Sequence, residues 1–294
     1  MMRNSIVVRS TIAVACLAMV CTGCFGGDRS SRALVQNKGS DTLVNVAQAW
    51  AENYHSLNPN VGVAVSGGGS GTGFAALIND TVDIANASRD ITIEEQEKIR
   101  KANGVEALEH TVAIDAVVFF VHASNPLDSI SFEQLACIYA EGGTCKQWGD
   151  IGTEVPGCSG QEIIRVSRQS NSGTYAFVRE EVLGKEIDFK LGSRDLSGSK
   201  DVVDLVGTTP CAIGYSGLGY GTDEVKALCI ARKTGAACVT PTLATAEDGT
   251  YALARPLFMY TLGEPQGAVA AYLEWIKSPA GQKIVSDNGF VPLS

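Results

Sequence analysis

Residues 65–78 read VSGGGSGTGFAALI: a strand-like apolar tail, three glycines, then Ser70, Gly71, Thr72 and Gly73 ahead of an apolar run at helical spacing. Glycine loses more backbone entropy on folding than any other residue. A loop this rich in it, set between two periodic segments, implies that something approaches the backbone closely at the turn. A strand handing over to a helix is also the repeating unit of an α/β fold.

The flanks extend that unit in both directions. LVNVAQAWAENYHSL (43–57) places Leu43, Val46, Ala47, Trp50 and Tyr54 on one helical face and stops before Pro59. VGVAVS (61–66) and VDIANAS (82–88) read as strands, FAALIND (74–80) as a helix with Phe74, Leu77 and Ile78 inward, and TIEEQEKIRKAN (92–103) as a helix whose Thr92 and Glu95 form a capping box. The long apolar run AIDAVVFFVH (113–122) then opens a second cycle of helix SFEQLACIYA (131–140), strand IIRVSR (163–168), helix GTYAFVREEVLG (173–184) and strand CAIGYSG (211–217). RPLFMYTL (255–262) is a closing strand, and GAVAAYLEWIKSPAGQKIVSDNG (267–289) is helical. Alternating elements predict mainly parallel sheets with helices on both faces, and two cycles predict two lobes.

The start of the chain has a different character. Arg3 and Arg9 precede TIAVACLAMVCTGC, an apolar stretch short for a membrane span, so residues 1–23 read as a signal peptide. Its end resembles a lipobox, which makes Cys24 the expected lipidation site and residues 24–33 a tether to the membrane. Six cysteines remain: Cys137, Cys145, Cys158, Cys211, Cys229 and Cys238. An even set suits an oxidising compartment, and Cys229 and Cys238, flanking the turn-like ARKTGAA, are close enough to staple a hairpin. The other pairings stay open. No CxxC occurs and His55, His110 and His122 are scattered, so no metal is expected. Losing the two leader arginines takes the net charge from −9 to −11, which disfavours nucleic acid as a partner.

Small polar residues stand at two further strand-to-helix turns: Ser40, Asp41 and Thr42 in GSDTL, and Ser172, Gly173 and Thr174 in SRQSNSGTY. Each hydroxyl suits an ordinary N-cap. Three such loops together could instead surround a tetrahedral oxyanion, because helix N-termini offer unpaired N–H groups and partial positive charge.

GSDT, SGGGSGTG, VDIANASR and RVSRQSNSGTYAF, followed by AIDAVVFFVHASNP, AIGYSGLGY, RPLFMY and GQKIVSDNGFVPL, closely resemble the phosphate-binding proteins of bacterial phosphate ABC importers, in their GSDT-type branch. The resemblance spans residues 35–294 and implies a type II periplasmic-binding-protein fold. Two crossings near 115–117 and 254–256 would divide it into lobe 1 (34–115 with 256–294) and lobe 2 (116–255). It further implies an extracytoplasmic, lipid-anchored monomer that binds inorganic phosphate and delivers it to a membrane permease without a cofactor.

The phosphate-binding residues expected on this resemblance are Ser40, Thr42, Leu43, Ser70, Arg89 and Asp115, with Arg168, Ser172, Gly173 and Thr174 from the other lobe. Arg89 stands where some members of the family carry the aspartate that accepts the phosphate proton. Asp115 is the expected replacement, ahead of Asp41 and Asp90. The alternatives are the same fold binding sulfate or molybdate, or sensing phosphate. An enzyme is disfavoured, since neither Ser70 nor Ser172 sits in a GxSxG elbow and no GxxxxGK[ST] loop is present.

Overall fold

The computed structural model describes residues 32–293; the expected signal peptide at 1–23, Cys24 and most of the expected tether at 24–33 lie outside them. The sheet begins with β1 (Ala33–Gly39), flanked in parallel by β2 (Val61–Ser66) and β3 (Ile84–Ala87). Helix α1 (Val44–Leu57) joins β1 to β2, α2 (Ser70–Ile78) joins β2 to β3, and α3 (Ile93–Asn103) follows β3. The α1 face expected from its spacing is the buried one: Leu43, Val46, Ala47, Trp50 and Tyr54 are all in the core, and the Trp50 indole donates to the Gly281 carbonyl at 2.8 Å. The Thr92–Glu95 capping box of α3 is formed.

Strand β4 (Ala107–His122) then runs far longer than its apolar stretch suggests, because it serves two halves of the sheet. In the second half come β5 (Ser129–Ser131), α4 (Phe132–Tyr139), β6 (Ile164–Arg168), α5 (Gly173–Val178, continued as a wider turn to Leu183), β7 (Arg194–Leu196), α6 (Ser199–Gly207) and β8 (Ala212–Gly217). They are followed by β9 (Val225–Ala227), β10 (Cys229–Ala231) and α7 (Leu243–Glu247). Strand β11 (Ala254–Leu262) returns to the first half, where α8 (Gly267–Lys277) and α9 (Pro279–Asp287) end the described chain. The expected single closing helix is split by Pro279, which lacks the N–H needed to continue α8 and instead opens α9 beside the Ser278 cap.

The sheet order is β2-β1-β3-β11-β4-β8-β6-β7. The expectation of mainly parallel sheets needs correction at the centre. The outer pairs are parallel, whereas β4 pairs antiparallel with both β11 and β8, and β11 pairs antiparallel with β3. The reason is directional: β4 carries the chain out of the first half and β11 carries it back. β4 partners β11 up to Ala116 and β8 from Val117 onward.

Helices cover both faces of each half. In the first, Tyr272, Ile276 and Val285 of α8 and α9 join the α1 face, while Phe74, Leu77 and Ile99 of α2 and α3 close the opposite side. In the second, Phe119 and Tyr215 pack against Tyr139 of α4, and Val202 and Val206 of α6 cover the other face. Among the described residues no helix is long and apolar enough to cross a membrane.

Disulfides Cys137–Cys145, Cys158–Cys211 and Cys229–Cys238 staple the second half; the last is the pair favoured by spacing. Cys158–Cys211 closes a separation of 53 residues, against 8 and 9 for the others. By chain entropy it should contribute about 4 kcal/mol, and each short bridge about 2.5 kcal/mol. Chemical denaturation of variants with each cysteine pair replaced by alanine should therefore find the Cys158/Cys211 variant the least stable. Equal losses for all three would contradict this ordering.

Candidate functional site

The three hydroxyl-rich turns meet where β4 and β11 pass between the halves. Thr42 follows β1, Ser70 opens α2, Ser88 follows β3, and Thr174 lies in the first turn of α5; all four are buried. Thr42 and Thr174 share a hydrogen bond at 3.0 Å across the halves. The Ser88 amide donates to Ser70 Oγ at 3.1 Å, and the Ser70 and Ser88 hydroxyls are 3.5 Å apart. Ser40 Oγ donates to Ser88 Oγ at 2.8 Å. Gly173 completes the group: a methyl on its Cα would collide with the Ser70 and Ser88 hydroxyls, so only glycine lets the α5 backbone come this close.

The cation at this cluster is Arg255 of β11. Its Nη2 donates to Thr174 Oγ1 at 2.9 Å and Thr42 Oγ1 at 3.4 Å, its Nη1 to the Ser88 carbonyl at 2.7 Å, and its guanidinium lies 5.0 Å from the centre of the Phe177 ring. Nη2 and Nε also donate to Asp115 Oδ2 at 2.9 and 3.3 Å. Asp115 and Arg255 are cross-strand partners in the β4–β11 register, and both are buried. Burial pushes the Asp115 carboxyl upward against the pull of Arg255, and pushes the guanidinium downward against the pull of Asp115. The second carboxylate oxygen, Asp115 Oδ1, makes no hydrogen bond. Gly217 packs against it, leaving no room there for a side chain.

The sequence did not single out Arg255 or Ser88. Arg255 carries the signal of a charge inside an otherwise apolar strand, but its partner is fixed only by strand register. Ser88 is the last residue of VDIANAS, directly before Arg89. Arg89 itself is not brought into the cluster: its two terminal nitrogens are held by Glu95 at 2.7 and 2.8 Å, and it stacks on Phe74. A carboxylate one helical turn into α3 takes its fork.

Other expected residues sit close by with their groups engaged. The Leu43 N–H donates to the Ser40 carbonyl, and Ser172 Oγ caps α5 by accepting from the Thr174 and Tyr175 amides. Arg168 is buried, but it bonds Asp41, Ser199 Oγ and the Leu196 and Ser197 carbonyls rather than the hydroxyls of Thr42, Ser70, Ser88 or Thr174. Asp90 lines an outer groove of about 600 Å³ that reaches Ser88 and Arg255 past Ile91, Phe177 and Phe258.

The glycine-rich loop serves two neighbours. It delivers Ser70 to the cluster, and it lies against the opposite half, where the Gly71 N–H donates to the Asn171 carbonyl at 3.0 Å and Asn171 Nδ2 donates to the Gly68 carbonyl at 2.9 Å. Gly69 sits at φ +92°, and a methyl there would stand 2.7 Å from the Asn171 carbonyl oxygen. The close approach implied by the glycines is thus made partly by the chain itself.

Buried hydroxyl donors and an arginine, gathered between two halves joined by paired crossing strands, define a two-lobed solute-binding protein. Comparison with known proteins carries this further. Residues 26–280 match the family model of the PBP superfamily domain. The chain is 35% identical over 266 residues to the phosphate-binding protein PstS of Pseudomonas aeruginosa, covering 87% of this chain and 81% of that one. A Clostridium perfringens protein of the phosphate ABC transporter substrate-binding type, crystallised with bound phosphate, matches with a TM-score of 0.77 at 25% identity, covering 89% of this chain and all of that one. An ABC-type phosphate transport receptor from Vibrio cholerae matches at 0.68 and 25%, covering 88% of this chain and all of that one. The chain belongs to the PBP superfamily and, within it, to the family of PstS phosphate-binding proteins.

Glu95 supplies a test of where Arg89 works. Burial pushes its carboxyl up, but the hydrogen bonds from Arg89 and Thr92 outweigh that and hold it below the ordinary glutamate range. A depressed carboxyl stabilises the fold above its unfolded pKa, and the contribution is lost as pH falls through the folded value. Arg89→Gln should therefore cost about 1 kcal/mol near neutral pH, read by urea unfolding, with the difference shrinking below about pH 4. Phosphate affinity should change by less than about threefold, under 1 kcal/mol. A hundredfold loss of affinity would return Arg89 to the site.

Proposed function

We propose that this chain binds inorganic phosphate in the cleft between its lobes and delivers it to the membrane subunits of an ABC-type phosphate importer. The observation that carries the reading is the buried group of Thr42, Ser70, Ser88 and Thr174 around Arg255, in a chain of this family. Neutral hydroxyls donate to oxyanion oxygens without stacking like charges. A single guanidinium adds charge-assisted bonds and never deprotonates. We assign the ligand set to these five residues with the Gly173 backbone. The lobes we assign are 34–115 with 256–294, and 116–255.

Asp115 is our proton acceptor. Phosphate near neutral pH still has a proton to donate, and Asp115 Oδ1 is a buried acceptor without a donor. Sulfate has no such proton and would leave that carboxylate unpaired and repelled, a penalty that grows in a dry cleft. This favours phosphate over sulfate or molybdate. Binding without turnover follows the phosphate-binding relatives; His55, His110 and His122 bond Val61, Thr261 and Ser124. The leader-like pattern at 1–23 and Cys24 support an extracytoplasmic protein held to the membrane by lipid.

Calorimetric titration of ligand-free protein with phosphate and sulfate tests the reading. Wild type should prefer phosphate. Asp115→Asn should weaken phosphate by about tenfold or more, or 1.4 kcal/mol, and narrow its advantage over sulfate. Arg255→Lys should weaken both anions about equally, by about 1.5–3 kcal/mol, with circular dichroism confirming the fold. Wild-type protein indifferent to phosphate would overturn the function. An unchanged phosphate-to-sulfate ratio in Asp115→Asn would overturn the acceptor.

A further inference from the structure

Asp41, in the turn after β1, has both carboxylate oxygens engaged, each to a different half of the molecule. Oδ1 accepts the Gly68 N–H of the glycine-rich loop at 3.0 Å, and Oδ2 accepts from Arg168 Nη2 of the second half at 3.2 Å. The Asp41 side chain is 16% exposed and that of Arg168 only 1%. Every other bond of Arg168 stays within its own half: Nε to the Leu196 carbonyl at 3.3 Å, Nη1 to Ser199 Oγ at 2.9 Å and Nη2 to the Ser197 carbonyl at 2.5 Å. The guanidinium is therefore a fixed post on one lobe, and Asp41 is what the other lobe brings to it. Gly67 packs against Asp41 Oδ1 so tightly that a side chain there would displace the carboxylate. The Tyr220 hydroxyl reinforces the junction through the carbonyls of Asp41 and Thr42 at 2.8 and 3.0 Å.

We infer that Asp41 is a positioning residue for phosphate: it ties the glycine-rich loop to Arg168 only when the lobes are closed, and so sets how long the cleft stays shut over its ligand. The inference rests on the phosphate reading and goes beyond it. It takes Arg168 out of direct ligand contact and Asp41 out of the group of proton acceptors. Asp41 adjoins Thr42, and Gly68 stands two residues before Ser70, so the clasp braces both hydroxyl-bearing turns of lobe 1 from behind. Opening the lobes breaks the Asp41–Arg168 bond while leaving Arg168 its three anchors. A mutation that removes the clasp shifts the open–closed balance and lowers apparent affinity by the fraction of closed form lost. It leaves untouched the groups that tell one anion from another. Changes of this kind fall mainly on the dissociation rate.

The test uses radiolabelled inorganic phosphate, chased with unlabelled phosphate to give the dissociation rate, and calorimetry with phosphate and sulfate to give affinities. Asp41→Asn, Arg168→Gln and the double variant are compared with wild type, each verified as folded by circular dichroism. Asp41→Asn should release phosphate about tenfold faster, equivalent to 1.4 kcal/mol, with the association rate within about threefold and the phosphate-to-sulfate ratio as in wild type. The double variant should be no faster than the faster single, since both changes break one interaction. Additive effects, an unchanged dissociation rate in Asp41→Asn, or a collapsed selectivity ratio would each overturn the clasp. So would an affinity loss in Arg168→Gln far exceeding that of Asp41→Asn, because that marks Arg168 as a ligand. Should Arg168→Gln fail to fold, Gly67→Ala, which crowds the Asp41 carboxylate, should reproduce the faster release, and wild-type kinetics there would contradict it. Wild-type protein that retains no phosphate would instead overturn the underlying function.

Discussion

The buried pair of Asp115 and Arg255 is the interaction on which the rest of this molecule turns. The two residues face each other across β4 and β11, the strands that leave and re-enter the first half, at the point where β4 is about to exchange β11 for β8. Taking both charges out of water costs several kcal/mol each, and removing one partner from such a pair typically destabilises by about 3–5 kcal/mol. The fold bears that cost where it also organises chemistry. The side of Arg255 not held by Asp115 reaches Thr42 of one half and Thr174 of the other, so a single guanidinium registers the two halves against each other. Without Asp115 the guanidinium would lack the partner that orients it. Without Arg255 the carboxylate would be buried alone.

That arrangement explains how an acidic protein can hold an anion. The chain carries a formal net charge of −9, and Asp90, Glu180 and Glu181 line the outer groove. The net charge does not attract an anion at long range, so in the proposed reading binding comes from groups that act within a few ångströms: hydroxyl dipoles, one fixed cation and exclusion of water. These are strong in a low-dielectric cleft and weak in solvent. In the proposed reading closure is part of recognition, and the contacts that join the halves, from Asn171, Tyr220 and Asp41, act with the hydroxyls.

Much of this was legible in the sequence, and the unread parts share a physical cause. Helix α1 declared itself through the spacing of Leu43, Val46, Trp50 and Tyr54, α3 through Thr92 and Glu95, and the short Cys229–Cys238 bridge through proximity. The hydroxyl-rich turns were visible as compositions, and Thr42, Ser70 and Thr174 do converge. Arg255 was hidden because its partner, Asp115, is 140 residues away, and pairing at that range depends on register and long-range topology. Arg89 was favoured by position in a motif, whereas its contacts are decided by Glu95 six residues later. The anchoring of Arg168 depends on Ser197 and Ser199 at the start of α6, a short helix with a polar opening that was not assigned from sequence. Local pattern specified the elements. Which charges met was decided by the sheet.

The most direct measurement of this account is a crystal structure of the protein grown with phosphate. Tetrahedral density should lie among the hydroxyls of Thr42, Ser70, Ser88 and Thr174 and the Arg255 guanidinium, with one oxygen about 2.5–2.7 Å from Asp115 Oδ1, as a proton-sharing bond to a carboxylate requires. Phosphate held by Arg168 or Arg89, or resting in the outer groove with Asp115 Oδ1 still unpaired, would contradict it.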